Sequence, residues 1–189
     1  MAKPGPKVPW QRRARYLRAR CVERLKPNQV EELHAASAFA RRLGVPLATF
    51  LTIRFPAGAD CPASFRRGQD VLAKRFRRAG RQLHWVYVWE AKGGAHVHCL
   101  AHVPAQLAGD FPAMLADAFP GCDARHERAR SPSKALAYMT KGTDAVTRAK
   151  AQGRRGHPAR RQGIIRWKRS GSTQNLGRAA RRKAGFSSP

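Results

Sequence analysis

Acidic residues are scarce in this 189-residue sequence, in which 11 Asp and Glu stand against 38 Lys and Arg, for a formal net charge of +27. A surface this cationic draws polyanions to it and accelerates their association. Nucleic acid is therefore the expected partner. An anionic membrane is the weaker alternative, because no segment has the character of a membrane-inserting helix.

Long apolar runs and paired cysteines are also missing. The first ten residues are basic and broken by proline, which argues against a signal peptide. The four cysteines (Cys21, Cys61, Cys99 and Cys122) include no C-x-x-C pair, so neither a disulfide framework nor a zinc knuckle is indicated. We expect a cytoplasmic protein that makes no membrane contact, with one domain and basic tails.

The charge is concentrated at the two ends. Residues 1–27 carry nine Lys and Arg and one acid, Glu23, whereas residues 145–189 carry thirteen and no acid. Such segments are typical of mobile arms that follow a phosphate backbone, although a solubilising tail has the same composition. We predict an N-terminal arm over 1–27, a folded domain over 28–145 and a basic DNA-binding tail over 146–189.

The central part alternates between helical and strand patterns. The predicted elements, in order, are a helix from Asn28 to Gly44, strand 47–55, helix 64–79, strands 83–90 and 95–103, a helix from Asp110 to Phe119, strand 122–129 and a helix from Ser131 to Lys141. This order predicts an α+β fold with a mainly antiparallel sheet and helices on one face.

The strongest local signal is His96-Val97-His98 on the third strand. Alternation along a strand turns both imidazoles to one face, close enough to bind one ion. By itself an H-x-H motif is weak, and two surface histidines on a basic strand would give the same pattern. Glu90 ends the preceding strand and is one of few acids in the chain.

The length of the connecting loop decides whether the three side chains share a face. With a five-residue loop over 91–95, Glu90 lies opposite His96, whereas a four-residue loop would place Trp89 there. We predict the five-residue loop. A carboxylate with two imidazoles suits Mg²⁺ or Mn²⁺ acting on a phosphate, and zinc would accept the same ligands. We expect two further histidines on this face, His84 and His102, not to be ligands.

A candidate nucleophile lies on the last predicted helix. Tyr138 and Lys141 are three residues apart, and Lys134 lies one turn before Tyr138 on the same side. Attack of the phenol on a phosphodiester would leave a 5′-phosphotyrosine and a free 3′-OH. The alternative is a tyrosine packed at the edge of a helix, beside solvated lysines.

Three motifs in order resemble those of the HUH-superfamily single-strand DNA endonucleases that initiate rolling-circle replication (Rep proteins). Phe50-Leu51-Thr52 resembles their first motif, Glu90 with His96-Val97-His98 the metal-binding motif, and Tyr138-x-x-Lys141 the motif of the nucleophile. The resemblance covers roughly residues 47–144. Each motif is short, and their order and spacing together make the resemblance moderately specific.

The resemblance implies a ferredoxin/RRM-like sheet that holds a divalent ion, with single-stranded, stem-loop origin DNA as the substrate. It implies reversible cleavage and rejoining through Tyr138, with Lys141 positioning the phosphate or assisting proton transfer. The motifs do not distinguish a plasmid from a phage or a transposon as the carrier of the gene. Two features depart from the family. No superfamily-3 helicase domain follows, so we expect a separate host helicase and polymerase, and the second tyrosine of some initiators is absent.

Further DNA contacts are expected outside the three motifs. The candidates are Arg54, Lys134, Arg166, Trp167, Lys168 and Arg169. Trp167 could stack on an unpaired base or pack back on the domain, and the sequence favours neither.

Three rival functions remain. A single-tyrosine transposase of the IS200 type shares the histidines, but it usually pairs the tyrosine with a glutamine one turn away, where this chain has Gly142. A conjugative relaxase normally has a third histidine and a larger domain. A non-catalytic RNA- or DNA-binding module explains the charge equally well, but gives no reason for Glu90, the two histidines and Tyr138 to occur together.

Overall fold

Five strands and five α-helices make up the described part of the chain, residues 24–143 and 163–186 of a computed structural model. The elements are α1 (Pro27–Arg42), β1 (Thr49–Arg54), α2 (Cys61–Arg78), β2 (His84–Glu90), β3 (His96–His102), α3 (Phe111–Ala118), β4 (Asp123–Arg128), α4 (Pro132–Met139), β5 (Ser170–Ser172) and α5 (Arg178–Lys183). Most of the predicted N-terminal arm lies outside the described residues. No described helix has the length and hydropathy needed to cross a bilayer.

All five strands belong to one antiparallel sheet with the order β4-β1-β3-β2-β5. The segment from β1 to β4 follows a βαββαβ path in which β3 lies between β1 and β2, which is a ferredoxin-like arrangement. The predicted α+β class with a mainly antiparallel sheet is confirmed.

Helices cover both faces of the sheet, whereas we expected them on one. The two helices of the βαββαβ unit, α2 and α3, pack on the face formed by Leu51, Ile53, Trp85, Trp89, Val97 and Cys99. The added helices α1 and α4 pack on the other face, against Val86, Val88 and Leu100. The difference arises because β2 and β3 are apolar on both faces, and a sheet buries each apolar face against another layer.

The C-terminal segment is part of the domain. Residues 163–186, which we assigned to a mobile tail, contain β5, which pairs with β2, and α5, which lies beside α1. Ile165 and Leu176 are completely buried. Burial of these apolar side chains stabilises the packing of the segment on the domain. Its many cations had indicated an exposed tail instead. Residues 146–162 lie outside the described residues, and the predicted boundary at 145 stays a prediction.

Candidate functional site

Two neighbouring strands place a carboxylate and two imidazoles on the face that α1 and α4 cover. In the β2–β3 pairing Glu90 lies opposite His96, and Val88 lies opposite His98. Residues on paired strands that face each other project on the same side of the sheet. The predicted five-residue loop over 91–95 is therefore confirmed, and Glu90 shares a face with both histidines.

The three side chains form a compact, buried group. Glu90, His96 and His98 are 4%, 5% and 4% exposed, and their candidate ligand atoms all lie within 4.8 Å of one another. Nε2 of His96 is 3.6 Å from Oε2 of Glu90, and Nε2 of His98 is 3.6 Å from Oε1. Both carboxylate oxygens therefore face an imidazole nitrogen across a gap that a single ion could bridge.

Hydrogen bonds on the far side of each ring orient the imidazoles. Nδ1 of His96 lies 2.9 Å from the carbonyl oxygen of Gly94, and since a carbonyl only accepts, this nitrogen carries the proton. Nδ1 of His98 is 3.0 Å from the hydroxyl of Thr52 on β1. Partners of this kind fix ring orientation and leave Nε2 available for a metal.

Burial and nearby charges set the protonation states of the group. Burial lowers the pKa of His98 to about 4, although the charge of Glu90 opposes this shift. Burial by itself would raise the pKa of Glu90, but His96, His98 and Lys141 together lower it below its usual value. At neutral pH Glu90 is a carboxylate and His98 is neutral, which are the states in which both bind metals.

Two buried atoms of the group, Nε2 of His98 and Oε1 of Glu90, make no hydrogen bond among the described residues. A buried nitrogen without a partner is costly unless another group satisfies it. The residues therefore fit a divalent cation, and the Glu90, His96 and His98 group could hold one.

Tyr138 and Lys141 lie beside this group. The Tyr138 ring is 49% exposed and meets His98 edge to face, with ring centroids 5.5 Å apart. Nζ of Lys141 lies 3.5 Å from the centroid of the Tyr138 ring and 3.2 Å from Oε1 of Glu90. The lysine therefore joins the tyrosine on α4 to the carboxylate on β2.

The other predicted DNA contacts have mixed positions. Arg54 is exposed and lies opposite His96 in the β1–β3 pairing, and Lys134 is exposed on α4. Arg166 and Lys168 are exposed as well. All four cations are therefore accessible at the surface.

Arg169 and Trp167 differ from the expectation. The Arg169 side chain is 1% exposed and one of its nitrogens donates to the Gly163 carbonyl, so it is not placed to contact DNA at the surface. Trp167 packs edge to face on Trp89, with ring centroids 5.4 Å apart. This is the packed alternative, and it arises because the apolar ring covers the open edge of the core beside Trp89.

Two residues of the Phe50-Leu51-Thr52 motif support the site in a way that the sequence did not reveal. Thr52 bonds His98, and Phe50 stacks on the same imidazole with ring centroids 5.3 Å apart. Both lie on β1 in the F-L-T segment and face the site. The alternation of the strand was visible, but the pairing of β1 with β3 joins segments far apart in sequence, and no local signal reports it.

The chain is similar to a replication-associated protein of Pseudomonas phage Pf3, with 30% identity over 111 residues. The match covers 57% of this chain and 37% of the phage protein, so the chain spans well under half the length of the relative it matches. No protein-family model and no solved structure matches the chain.

Proposed function

We propose that this protein is a metal-dependent endonuclease of the HUH class that nicks and rejoins single-stranded DNA to initiate rolling-circle replication. The observation that carries the proposal is the exposed phenol of Tyr138, in contact with His98 of a buried group suited to a divalent cation. The net charge of +27 supports a polyanionic substrate, and the name of the phage relative supports a role in replication.

Glu90, His96 and His98 would hold the ion, for which we propose Mg²⁺ or Mn²⁺. When bound, such an ion supplies Lewis-acid polarisation of a phosphate oxygen and orients the phosphodiester. Thr52 and Gly94 hold the imidazoles so that Nε2 of each ring points into the group. These residues do no chemistry themselves, and their role is to keep the ligands in one geometry.

The chemical step belongs to Tyr138. Its phenolic oxygen attacks the phosphorus, the bond from phosphorus to the 3′-oxygen breaks, and the DNA becomes linked to Tyr138 through a 5′-phosphotyrosine. The phenol gives up one proton and the departing 3′-oxygen takes one up, so the proton balance closes. Attack by a 3′-OH on the phosphotyrosine reverses the step and rejoins the strand.

Lys141 has two partners in this proposal. Its ammonium contacts both the Glu90 carboxylate and the Tyr138 ring, so it balances charge between the ion site and the nucleophile and is close to any phosphate held between them. Arg54, Lys134, Arg166 and Lys168 would follow the backbone of the strand on either side. The substrate proposed is the single strand of a stem-loop origin, and the protein would act in the cytoplasm where that DNA is copied.

A covalent-adduct assay tests the proposal. The protein is incubated with Mn²⁺ and single-stranded oligonucleotides containing hairpins, and denaturing gels are examined for a protein–DNA adduct. We expect an adduct that disappears with chelator and in Tyr138→Phe. Tyr87→Phe, on the face of the sheet away from the metal ligands, is the matched control and retains it.

The histidine variants separate chemistry from binding. His96→Ala and His98→Ala are expected to lose the adduct while retaining DNA binding measured by fluorescence anisotropy. If the unaltered protein binds hairpin DNA but forms no adduct under these conditions, a non-catalytic binding module replaces the proposal.

A further inference from the structure

The exposed side of α2 carries a dense group of cations. We define the α2 basic surface as Arg66, Arg67, Lys74, Arg77, Arg78 and Arg81, all of which are exposed. At 3.6 residues per turn, the five that lie on α2 occupy roughly a third of the helix circumference, opposite the buried Phe65, Leu72 and Phe76, and Arg81 follows shortly after the helix ends. From Arg66 to Arg78 the surface extends about 18 Å along the helix.

Acidic partners for these cations are absent from the part of the chain that the structure describes. The ion pair that α2 makes is between Arg75 and Asp117 on α3. Within the described residues, none of the six side chains of the α2 basic surface forms an ion pair, and Asp70 is the one acid between residues 61 and 81. Six like charges side by side repel one another, which a bound polyanion would relieve.

Other elements that lie near α2 do not share this charge, so the basic composition alone does not account for it. The neighbouring segment 105–120, which contains α3 on the same face of the sheet, has two acids and no Lys or Arg. The exposed edge strand β4 has mixed charges, with Asp123 and Glu127 among its basic residues. The α2 basic surface is therefore a bounded feature of one face.

This surface lies away from the candidate metal site. α2 packs on the face of the sheet that contains Trp85, Trp89 and Val97, whereas Glu90, His96 and His98 project from the other face. The sheet and the helix separate the two regions. The strand held for cleavage therefore does not account for these cations.

We propose that the α2 basic surface binds a duplex segment of DNA independently of the metal site. Surfaces that bind single strands combine cations with aromatic rings on which bases stack, but both phenylalanines of α2 are buried. A surface of cations without aromatic rings fits a duplex, whose bases are stacked inside and whose phosphates face outward. The same lack of exposed apolar side chains disfavours a lipid surface.

The choice of DNA as the polyanion depends on the proposed function, whereas the surface itself does not. The test measures binding of a blunt DNA duplex by fluorescence anisotropy over a range of NaCl concentrations, in chelator so that the metal site takes no part. Lys74→Gln/Arg78→Gln is compared with Arg41→Gln/Arg42→Gln, which removes the same charge from the exposed last turn of α1. Thermal unfolding of each variant verifies that the fold is intact.

Each phosphate contact contributes about 0.9 to the slope of log K against log salt. We expect the slope to fall by about 2 in the α2 variant and to stay unchanged in the α1 variant. Lys74→Arg/Arg78→Lys, which keeps the charge, is expected to retain binding. Equal slopes in all variants, or equal losses in the α1 and α2 variants, would overturn the proposal.

Two further arms identify the partner. Duplex RNA and anionic vesicles are tested as competitors of duplex DNA. If either competes better than duplex DNA, and the Lys74→Gln/Arg78→Gln variant loses that competition, the proposal of a DNA-binding surface is overturned. Adduct formation on a short hairpin-free single strand is expected to be the same in the α2 variant and the unaltered protein. Absence of any adduct in the unaltered protein would contradict the proposed function alone, because the duplex measurement requires no cleavage.

Discussion

At the residue scale, the His98 imidazole is prepared for a cation by its surroundings. Burial lowers its pKa to about 4, so at neutral pH the ring is neutral and a bound metal need not displace a proton from it. Its Nδ1 is bonded to Thr52, and its ring stacks on Phe50 and meets Tyr138 edge to face. The orientation of Nε2 therefore depends on three residues outside the ligand group.

Thr52→Val tests the contribution of the hydrogen bond. The substitution keeps the shape of the side chain but removes the hydroxyl, so His98 loses its orienting partner. Loss of such a partner weakens metal binding by about 10- to 100-fold, and we expect a decrease in Mn²⁺ affinity of that order by isothermal titration calorimetry. Thr52→Ser is expected to retain most of the affinity. Unchanged binding in Thr52→Val would show that packing alone holds the ring.

Lys141→Met is expected to separate metal affinity from catalysis. The ammonium 3.2 Å from Glu90 repels a divalent cation held by the same carboxylate, so its removal should raise Mn²⁺ affinity, by about tenfold for unit charges a few ångströms apart. Adduct formation should fall, because the charge beside Tyr138 is lost. Lys74→Met, which removes an exposed lysine on the other side of the sheet, is the control, with a short hairpin-free single strand as substrate. Weaker metal binding in Lys141→Met would contradict this account.

At the element scale, the β2–β3 hairpin was the most predictable part of the site. The H-x-H alternation and the loop length determined which side chains share a face, because a hairpin is a local structure whose register follows from its loop. The position of Tyr138 on a helix was predictable for the same reason, whereas Lys141, which we expected on that helix, lies in the turn after α4 ends at Met139. The contact of α4 with the metal group was not predictable, because it joins segments that are distant in sequence and depends on tertiary packing.

β5 shows where sequence reasoning fails. Its residues, Ser170, Gly171 and Ser172, have no apolar alternation and little intrinsic preference for a strand. The strand forms because the edge of β2 offers unpaired backbone groups, and because a glycine at 171 leaves room for the Tyr87 hydroxyl, which a Cβ there would meet at 2.6 Å. Because both causes are contacts with a distant strand, the local sequence of β5 contains no pattern that predicts it.

The contact between α1 and α5 supports a pH-dependent prediction. Glu32 accepts hydrogen bonds from Arg181, which is buried, and from Arg178. Burial alone would raise the pKa of Glu32, but the two arginines lower it below the ordinary value of 4.5. The folded state therefore favours the carboxylate, and this stabilisation is present above pH 4.5 and is lost as the pH falls through the lowered pKa.

Glu32→Gln is expected to reduce the free energy of unfolding by about 1 kcal/mol at neutral pH. The value is modest because Glu32 is 39% exposed and solvent weakens the pair. Urea unfolding at neutral and at acidic pH measures the difference, which should shrink as Glu32 is protonated. Glu31→Gln removes a neighbouring exposed carboxylate without an ion pair among the described residues. A pH-independent difference would contradict the proposed role of the charge.

At the scale of the whole molecule, cations in this chain have two uses that composition does not distinguish. Arg169 and Arg181 are buried and bond to backbone carbonyls, whereas the cations of the α2 basic surface face outward. The positive tail was predicted to be an arm because single-sign segments without obvious apolar periodicity usually are. For residues 163–186 this interpretation is wrong, because the segment buries Ile165, Leu176 and two arginines in the domain.

Truncation tests that reversal. A chain ending at residue 162 lacks β5 and exposes the edge of β2, and it loses two fully buried aliphatic side chains, Ile165 and Leu176. Each such loss costs about 2–5 kcal/mol, which is a large share of the 5–15 kcal/mol typical of a domain. We expect a chain ending at residue 186 to have the same thermal unfolding curve as the full chain, measured by circular dichroism. We expect a chain ending at residue 162 to lack the folded spectrum or to aggregate. If the shorter chain kept its thermal stability and lost only DNA affinity, the C-terminal segment would be an arm after all.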